Sequence, residues 1–151
     1  MQLTYRPHYD WSGMIRFLST RALKGVESVS EEGYSRTARL GSNTGWIHVR
    51  HAPEKRALLV ELTHSLAPSL GASLGRLRHL FDPSARPDII ASKLMQDEFL
   101  ADAVARNPGL RVPGCFDGFE LAVRAILGRQ ITVKAATMIA GRFVDAFGTP
   151  L

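Results

Sequence analysis

The stretch Arg111–Gly141, RVPGCFDGFELAVRAILGRQITVKAATMIAG, decides the fold of the second part of this chain. Apolar residues recur with helical spacing on both sides of a short polar link that begins at Gly128-Arg129-Gln130. Asp117 precedes the first periodic run and Thr132 precedes the second, and both residue types cap helix N termini well. The stretch therefore predicts two helices joined at a tight corner.

The first of these helices has a wide apolar face, expected to be buried. Asp117 and Glu120 stand three residues apart at its start, which is the spacing of a capping box. Two carboxylates also suit glycosidic-bond chemistry, but the need to satisfy free backbone donors explains this pair without catalysis. The residues predicted to be buried are Phe119, Val123, Ile126 and Leu127.

Working outward towards the N terminus, Asp82–Pro87 has two prolines in six residues and marks the best candidate for a domain boundary. Beyond it we expect one further helix, capped by Asp88 and ended by Asn107-Pro108-Gly109. Residues 88–151 are then entirely helical, and their apolar faces need partners.

Residues 1–87 have a different pattern. A short strand at 3–6 is followed by a helix that Asp10 caps and that ends near Gly25. Four strand-like segments come next (VESVS, YSRTARL, WIHVRH and RALLVEL), divided by turn-forming residues, and a helix with Pro68 in its first turn closes the unit. Trp46, Ile47 and Val49 are expected in a half-buried strand, with His48 and Arg50 on its more polar face. The prediction is an antiparallel α+β domain with two helices on one face.

Positive charge is concentrated in this first unit. The net charge is +5, arginine supplies most of the positive charges, and an excess of this kind suits a polyanion such as nucleic acid or a solvated basic surface. Cys115 is the single cysteine, which excludes an internal disulfide and favours a reducing compartment. No signal-like segment or apolar run of membrane length occurs, so a cytoplasmic protein is expected.

Other motifs are weak. Gly71-Ala72-Ser73-Leu74-Gly75 matches a nucleophile elbow, but it lies inside a helical pattern rather than after a strand. His48 and His51 fall on opposite sides of a strand and do not form a chelating pair. Cys115 has no nearby histidine that would activate it. We therefore expect no metal and no cofactor.

Two long segments carry a family resemblance: PHYDWSGMIRFLSTRALKGVESV (7–29) and LRVPGCFDGFELAVRAILGRQITVKAA (110–136). In order and spacing they resemble the AlkA-type 3-methyladenine DNA glycosylases, and the similarity runs from about Leu3 to the end. The resemblance implies a TATA-binding-protein-like α+β domain at 1–87. It also implies the bridging helix and first helices of a helix-hairpin-helix glycosylase core, truncated, at 88–151.

The resemblance also implies a function and a set of site residues. Such enzymes flip alkylated purines out of duplex DNA and hydrolyse the N-glycosidic bond. Gln130 falls where the family places the side chain that fills the vacated gap, between Arg129 and Ile131, which share the DNA-binding link. Phe17 falls on an aromatic residue of the base pocket, suited to cationic bases. The implied partner is double-stranded DNA containing alkylated bases, bound by a monomer.

The family's hairpin and catalytic aspartate have no counterpart among residues 1–151, so this chain by itself is expected to be inactive, with no catalytic residue assigned. Two other interpretations stay open: a non-enzymatic DNA-binding module, and a protein-interaction domain that uses its apolar helix faces. An origin in a fusion with an alkylation-response regulator is a further possibility within the family.

Overall fold

A computed structural model describes residues 1–151. The strands are β1 (Gln2–Thr4), β2 (Glu27–Ser30), β3 (Gly33–Leu40), β4 (Asn43–Ala52) and β5 (Ala57–Leu62). The α-helices are α1 (Trp11–Ser19), α2 (Leu70–Phe81), α3 (Pro87–Leu94), α4 (Glu98–Arg106), α5 (Gly118–Leu127) and α6 (Val133–Phe147). Short 3-10 turns at Pro53–Lys55 and His64–Ser69 complete the chain.

The strands form one antiparallel sheet in the order β1-β5-β4-β3-β2. Helices α1 and α2 cover one face of it. Their inward residues, such as Met14, Leu18 and Leu77, join the strand residues Tyr34 and Ile47 in a single core. This antiparallel sheet with helices packed on one face confirms the α+β class predicted from the sequence. Strand alternation places every second side chain of the sheet in the core.

Several boundaries differ from the sequence prediction. Asp10 caps α1 as expected, its carboxylate accepting a hydrogen bond from Gly13 N at 2.8 Å, but the helix ends at Ser19 and not near Gly25. Trp46 belongs to the more polar face of its strand, contrary to expectation: it is 49% exposed and lies with His48 and Arg50 on the outer face of the sheet. Strand alternation requires this result, because Trp46 and the buried Ile47 are adjacent.

The helix predicted after the proline-rich segment is two helices. Helix α3 begins at Pro87 with Arg86 in the N-cap position, so Asp88 lies in the first turn, where it pairs with Arg86 at 3.0 Å and does not cap the helix. Asp97 caps α4 by accepting hydrogen bonds from Phe99 N and Leu100 N. A new cap inside the predicted helix is the physical reason for the break.

Helices α5 and α6 confirm the predicted corner. Asp117 accepts hydrogen bonds from the backbone of Phe119 and Glu120, and Thr132 accepts one from Ala135 N at 3.2 Å. The predicted burial on α5 is wrong for Phe119 and Ile126, each 70% exposed, whereas Val123 and Leu127 are half-buried.

Candidate nucleic-acid interface

The corner between α5 and α6 presents three side chains to solvent. Arg129, Gln130 and Ile131 are all exposed. Gln130 has φ 62°, in the left-handed region that costs a non-glycine residue roughly 1–2 kcal/mol. Capped helices on either side hold this conformation in place. Backbone strain in an exposed, well-supported link is a common feature of functional positions.

Three ion pairs hold α5 against the sheet domain. Arg36 of β3 lies 2.6 Å from Glu120, Arg76 of α2 lies 2.6 Å from Asp117, and Arg124 pairs with Glu27 of β2. Glu120 therefore points to the sheet rather than back to its own helix cap, which corrects the capping-box prediction.

Arg36 is the most enclosed member of these pairs. Its side chain is 2% exposed, and its guanidinium carbon lies 4.0 Å from the centre of the Phe116 ring. Burial lowers the pKa of Arg36, but Tyr34 and Glu120 nearby more than offset this, so that its pKa is raised overall. This charge pair ties the start of α5 to β3.

A cleft of about 400 Å³ opens between α1 and α5. Phe17 and Arg21 line it from the sheet domain, and Phe116, Leu121 and Arg124 line it from the α5 side. Phe17 is 38% exposed, so its ring is accessible from the cleft. Arg21 lies over one face of its ring, 3.9 Å from the ring centre.

The cleft and the Gln130 corner are adjacent. Arg21 and Arg124 line the Phe17 cleft, and both also line a second cleft, of about 200 Å³, whose wall includes Gly128 and Ile131. Arg124 donates a hydrogen bond to the carbonyl oxygen of Arg21 at 2.6 Å. A single guanidinium therefore fixes the spacing between the aromatic cleft and the polar corner.

Reasoning from sequence missed Arg21, Arg124 and Arg36 as residues of this site. Arg124 stands on the polar side of an amphipathic helix, where a solvated charge is the ordinary reading. Its partner Glu27 lies 97 residues away along the chain. No local pattern reveals a contact of that range.

The weaker motifs have structural roles. Ser73 is fully buried in α2 and donates a hydrogen bond to the Ser69 carbonyl oxygen at 3.0 Å, so it forms no nucleophile elbow. His48 contacts Ser35 and His51 contacts the Tyr5 hydroxyl. No group of three or more potential metal ligands occurs, and no helix combines the length and apolarity needed to cross a bilayer.

The protein belongs to the α+β class. Its antiparallel sheet domain is extended by capped helices and has an aromatic cleft beside a strained polar corner. The family model for the AlkA N-terminal domain matches residues 1–117. The chain therefore belongs to the AlkA N-terminal domain family.

Two curated relatives share 34% identity with the chain. One is DNA-3-methyladenine glycosylase 2 of Escherichia coli, matched over 149 residues, 99% of this chain and 51% of the relative. The other is the probable bifunctional transcriptional activator/DNA repair enzyme AlkA of Mycobacterium tuberculosis, matched over 100% of this chain and 30% of the relative. The chain thus spans about half the length of the first and less of the second.

A solved structure has the same fold. The 3-methyladenine DNA-glycosylase from Archaeoglobus fulgidus matches with a TM-score of 0.83 over 97% of this chain and 50% of that protein, at 18% sequence identity. At this identity the likeness is evidence for the fold only.

Proposed function

We propose that this chain is the N-terminal part of a base-excision-repair glycosylase that flips alkylated purines out of duplex DNA and hydrolyses their N-glycosidic bonds. The observation that carries the proposal is the exposed Gln130, held at φ 62° on a corner next to the Phe17 cleft. Membership of the AlkA N-terminal domain family supports DNA as the partner.

Each of the two features has a role in base extrusion. Flipping a base costs a few kcal/mol in lost stacking and pairing. Gln130, on a corner braced by two capped helices, fills the space that the base leaves, with Arg129 and Ile131 beside it on the DNA. The flipped base enters the cleft beside Phe17. Because Arg21 already lies over one face of that ring, a cationic alkylated purine is attracted to the opposite face.

The catalytic aspartate implied by the family resemblance matches none of the aspartates in residues 1–151. We therefore propose that these residues recognise and open DNA but do not cleave the bond by themselves. We further propose that residues 1–87 form an accessory domain and that residues 88–151 form the beginning of the glycosylase core. We also propose a cytoplasmic location, which the single cysteine favours, and a monomeric state.

The test measures binding and chemistry on the same chain. Fluorescence anisotropy compares a duplex containing an abasic-site analogue with the matched intact duplex, and chromatography looks for release of 3-methyladenine from alkylated DNA. The proposal expects tighter binding to the abasic duplex and no release of base. Equal affinity for the two duplexes would refute the recognition role, and release of base would refute the predicted inactivity.

A further inference from the structure

A third cleft, outside the Phe17 site, lies between the α1–β2 loop and α6 and has a volume of about 410 Å³. Lys24 reaches it from the loop, and Lys134 and Arg142 reach it from the helix. All three side chains are exposed. We call these residues, with Asp145, which also lines the cleft, the basic cleft.

The charges of the basic cleft are not neutralised by the protein. None of its three cations takes part in any of the ion pairs, which involve other arginines. With one carboxylate against three cations the net charge is 3 − 1, or +2. A concave surface with uncompensated charge of one sign concentrates its potential and attracts ligands of the opposite sign.

The two sides of the cleft lie close together at Gly141. A Cβ atom built at that position would lie 3.9 Å from the Cβ of Lys24, so the α1–β2 loop approaches close to α6. Lys134 and Arg142 are eight residues apart on α6, roughly 12 Å along the helix axis. This separation lets the two cations contact different phosphates of one DNA strand.

The basic cleft adjoins the Gln130 corner. Thr137 lines both the basic cleft and the smaller cleft that includes Gly128 and Ile131. A strand that passes the corner therefore runs on to Lys134 and then to Arg142.

We propose that the basic cleft binds the phosphate backbone of the DNA strand next to the lesion. This inference rests on the proposed function for its choice of DNA as the ligand. The cleft provides affinity that does not depend on the lesion, whereas Gln130 and Phe17 provide the preference for it. Phosphate contacts position a protein on DNA without reading the base.

The test uses variants of the whole chain and two duplexes, one intact and one with an abasic analogue, titrated across a range of salt concentrations. The triple variant Lys24→Gln, Lys134→Gln, Arg142→Gln removes the cations. The control variant Lys55→Gln, Arg78→Gln, Lys93→Gln removes the same charge from exposed positions outside the basic cleft. The exchange variant Lys24→Arg, Lys134→Arg, Arg142→Lys keeps the charge.

The proposal expects the triple variant to bind both duplexes at least about tenfold more weakly at low salt. The slope of log affinity against log salt should fall by roughly 2–3, since each phosphate contact contributes about 0.9. The control and exchange variants should keep the slope of the unaltered chain. Asp145→Asn should strengthen binding several-fold, because it removes the only carboxylate that repels phosphate from the cleft.

The outcomes separate this inference from the proposed function. If the unaltered chain prefers the abasic duplex but the triple variant binds like the control, the basic cleft proposal is wrong and the function stands. If the unaltered chain has no preference but the triple variant alone loses affinity and slope, the cleft binds DNA and the repair function is wrong. No binding by the unaltered chain to either duplex would overturn both.

Discussion

Gln130 is the single residue on which the proposed function most depends. It is a long polar side chain on a backbone conformation that glycine adopts without cost. The fold tolerates this strain because the caps at Gly128 and Thr132 and the helices beyond them determine the path of the corner. Strain that a glycine would remove indicates that the side chain itself is needed.

Replacement of Gln130 by glycine should therefore improve stability and impair function. The free energy of unfolding should rise by about 0.5–1 kcal/mol, because the left-handed conformation no longer strains the chain. Preference for an abasic duplex should disappear. Chemical denaturation and anisotropy measure the two effects. Arg129→Gly is the matched control, because Arg129 does not have a positive φ and its replacement should bring no gain in stability.

His51 makes the stability of the domain depend on pH. Burial lowers the pKa of His51 below its ordinary value, and its Nε2 lies 2.7 Å from the Tyr5 hydroxyl. The unfolded chain then binds a proton more readily than the folded chain as the pH falls through about 6.5. The stabilisation is fully present above that pH and is lost towards the lower pKa of the folded state.

A His51→Gln variant keeps a polar side chain but cannot titrate. Between pH 7.5 and 5, denaturant unfolding should show a smaller loss of stability for this variant than for the unaltered chain. Replacement of the exposed His64 by glutamine serves as the control and should leave the pH dependence as it was. Parallel curves for His51→Gln and the unaltered chain would contradict this assignment.

At the scale of elements, the helices and strands can be predicted from local sequence pattern, but the long-range contacts between them cannot. Caps at Asp10, Asp117 and Thr132 were predictable because each lies beside the periodic run that it begins. The break between α3 and α4 was missed because no proline or glycine marks it, and Asp97 was the only signal. Ion pairs such as Arg36 with Glu120, 84 residues apart, depend on the tertiary fold and leave no local trace.

The pair between Arg36 and Glu120 should dominate the attachment of α5. Glu120→Ala leaves a guanidinium that is 2% exposed without its carboxylate, and we expect a loss of about 2–3 kcal/mol in unfolding free energy. Glu61→Ala is the control: its partner Arg50 is 51% exposed and 3.6 Å away, so the loss should stay below about 1 kcal/mol. Equal losses in thermal or denaturant unfolding would show that α5 is held by other contacts.

At the scale of the whole molecule, the sheet domain and the later helices differ in how they are stabilised. The sheet, α1 and α2 share one core, whereas α3, α4 and α5 contain no buried residue. Large apolar side chains remain uncovered there, Phe99 being 93% exposed. Periodicity predicted amphipathic helices correctly, but it cannot show whether anything covers the apolar side.

Hydrogen exchange should resolve this difference. Backbone amides of β3, β4 and β5 should exchange only through global unfolding, and those of α3 and α4 should exchange at least about a hundredfold faster through local opening. Mass spectrometry of peptides from each segment measures the rates under native conditions. Uniform protection from β3 to α4 would mean that the helices share the stability of the core.

The most direct test of the central claim is whether Gln130 fills the space left by an extruded base. A duplex with the fluorescent base 2-aminopurine at the position to be flipped becomes brighter when that base leaves the stack. The account predicts that the unaltered chain raises the fluorescence on binding and that Gln130→Ala binds with little rise. An equal rise for both chains, or none for either at saturation, would contradict it.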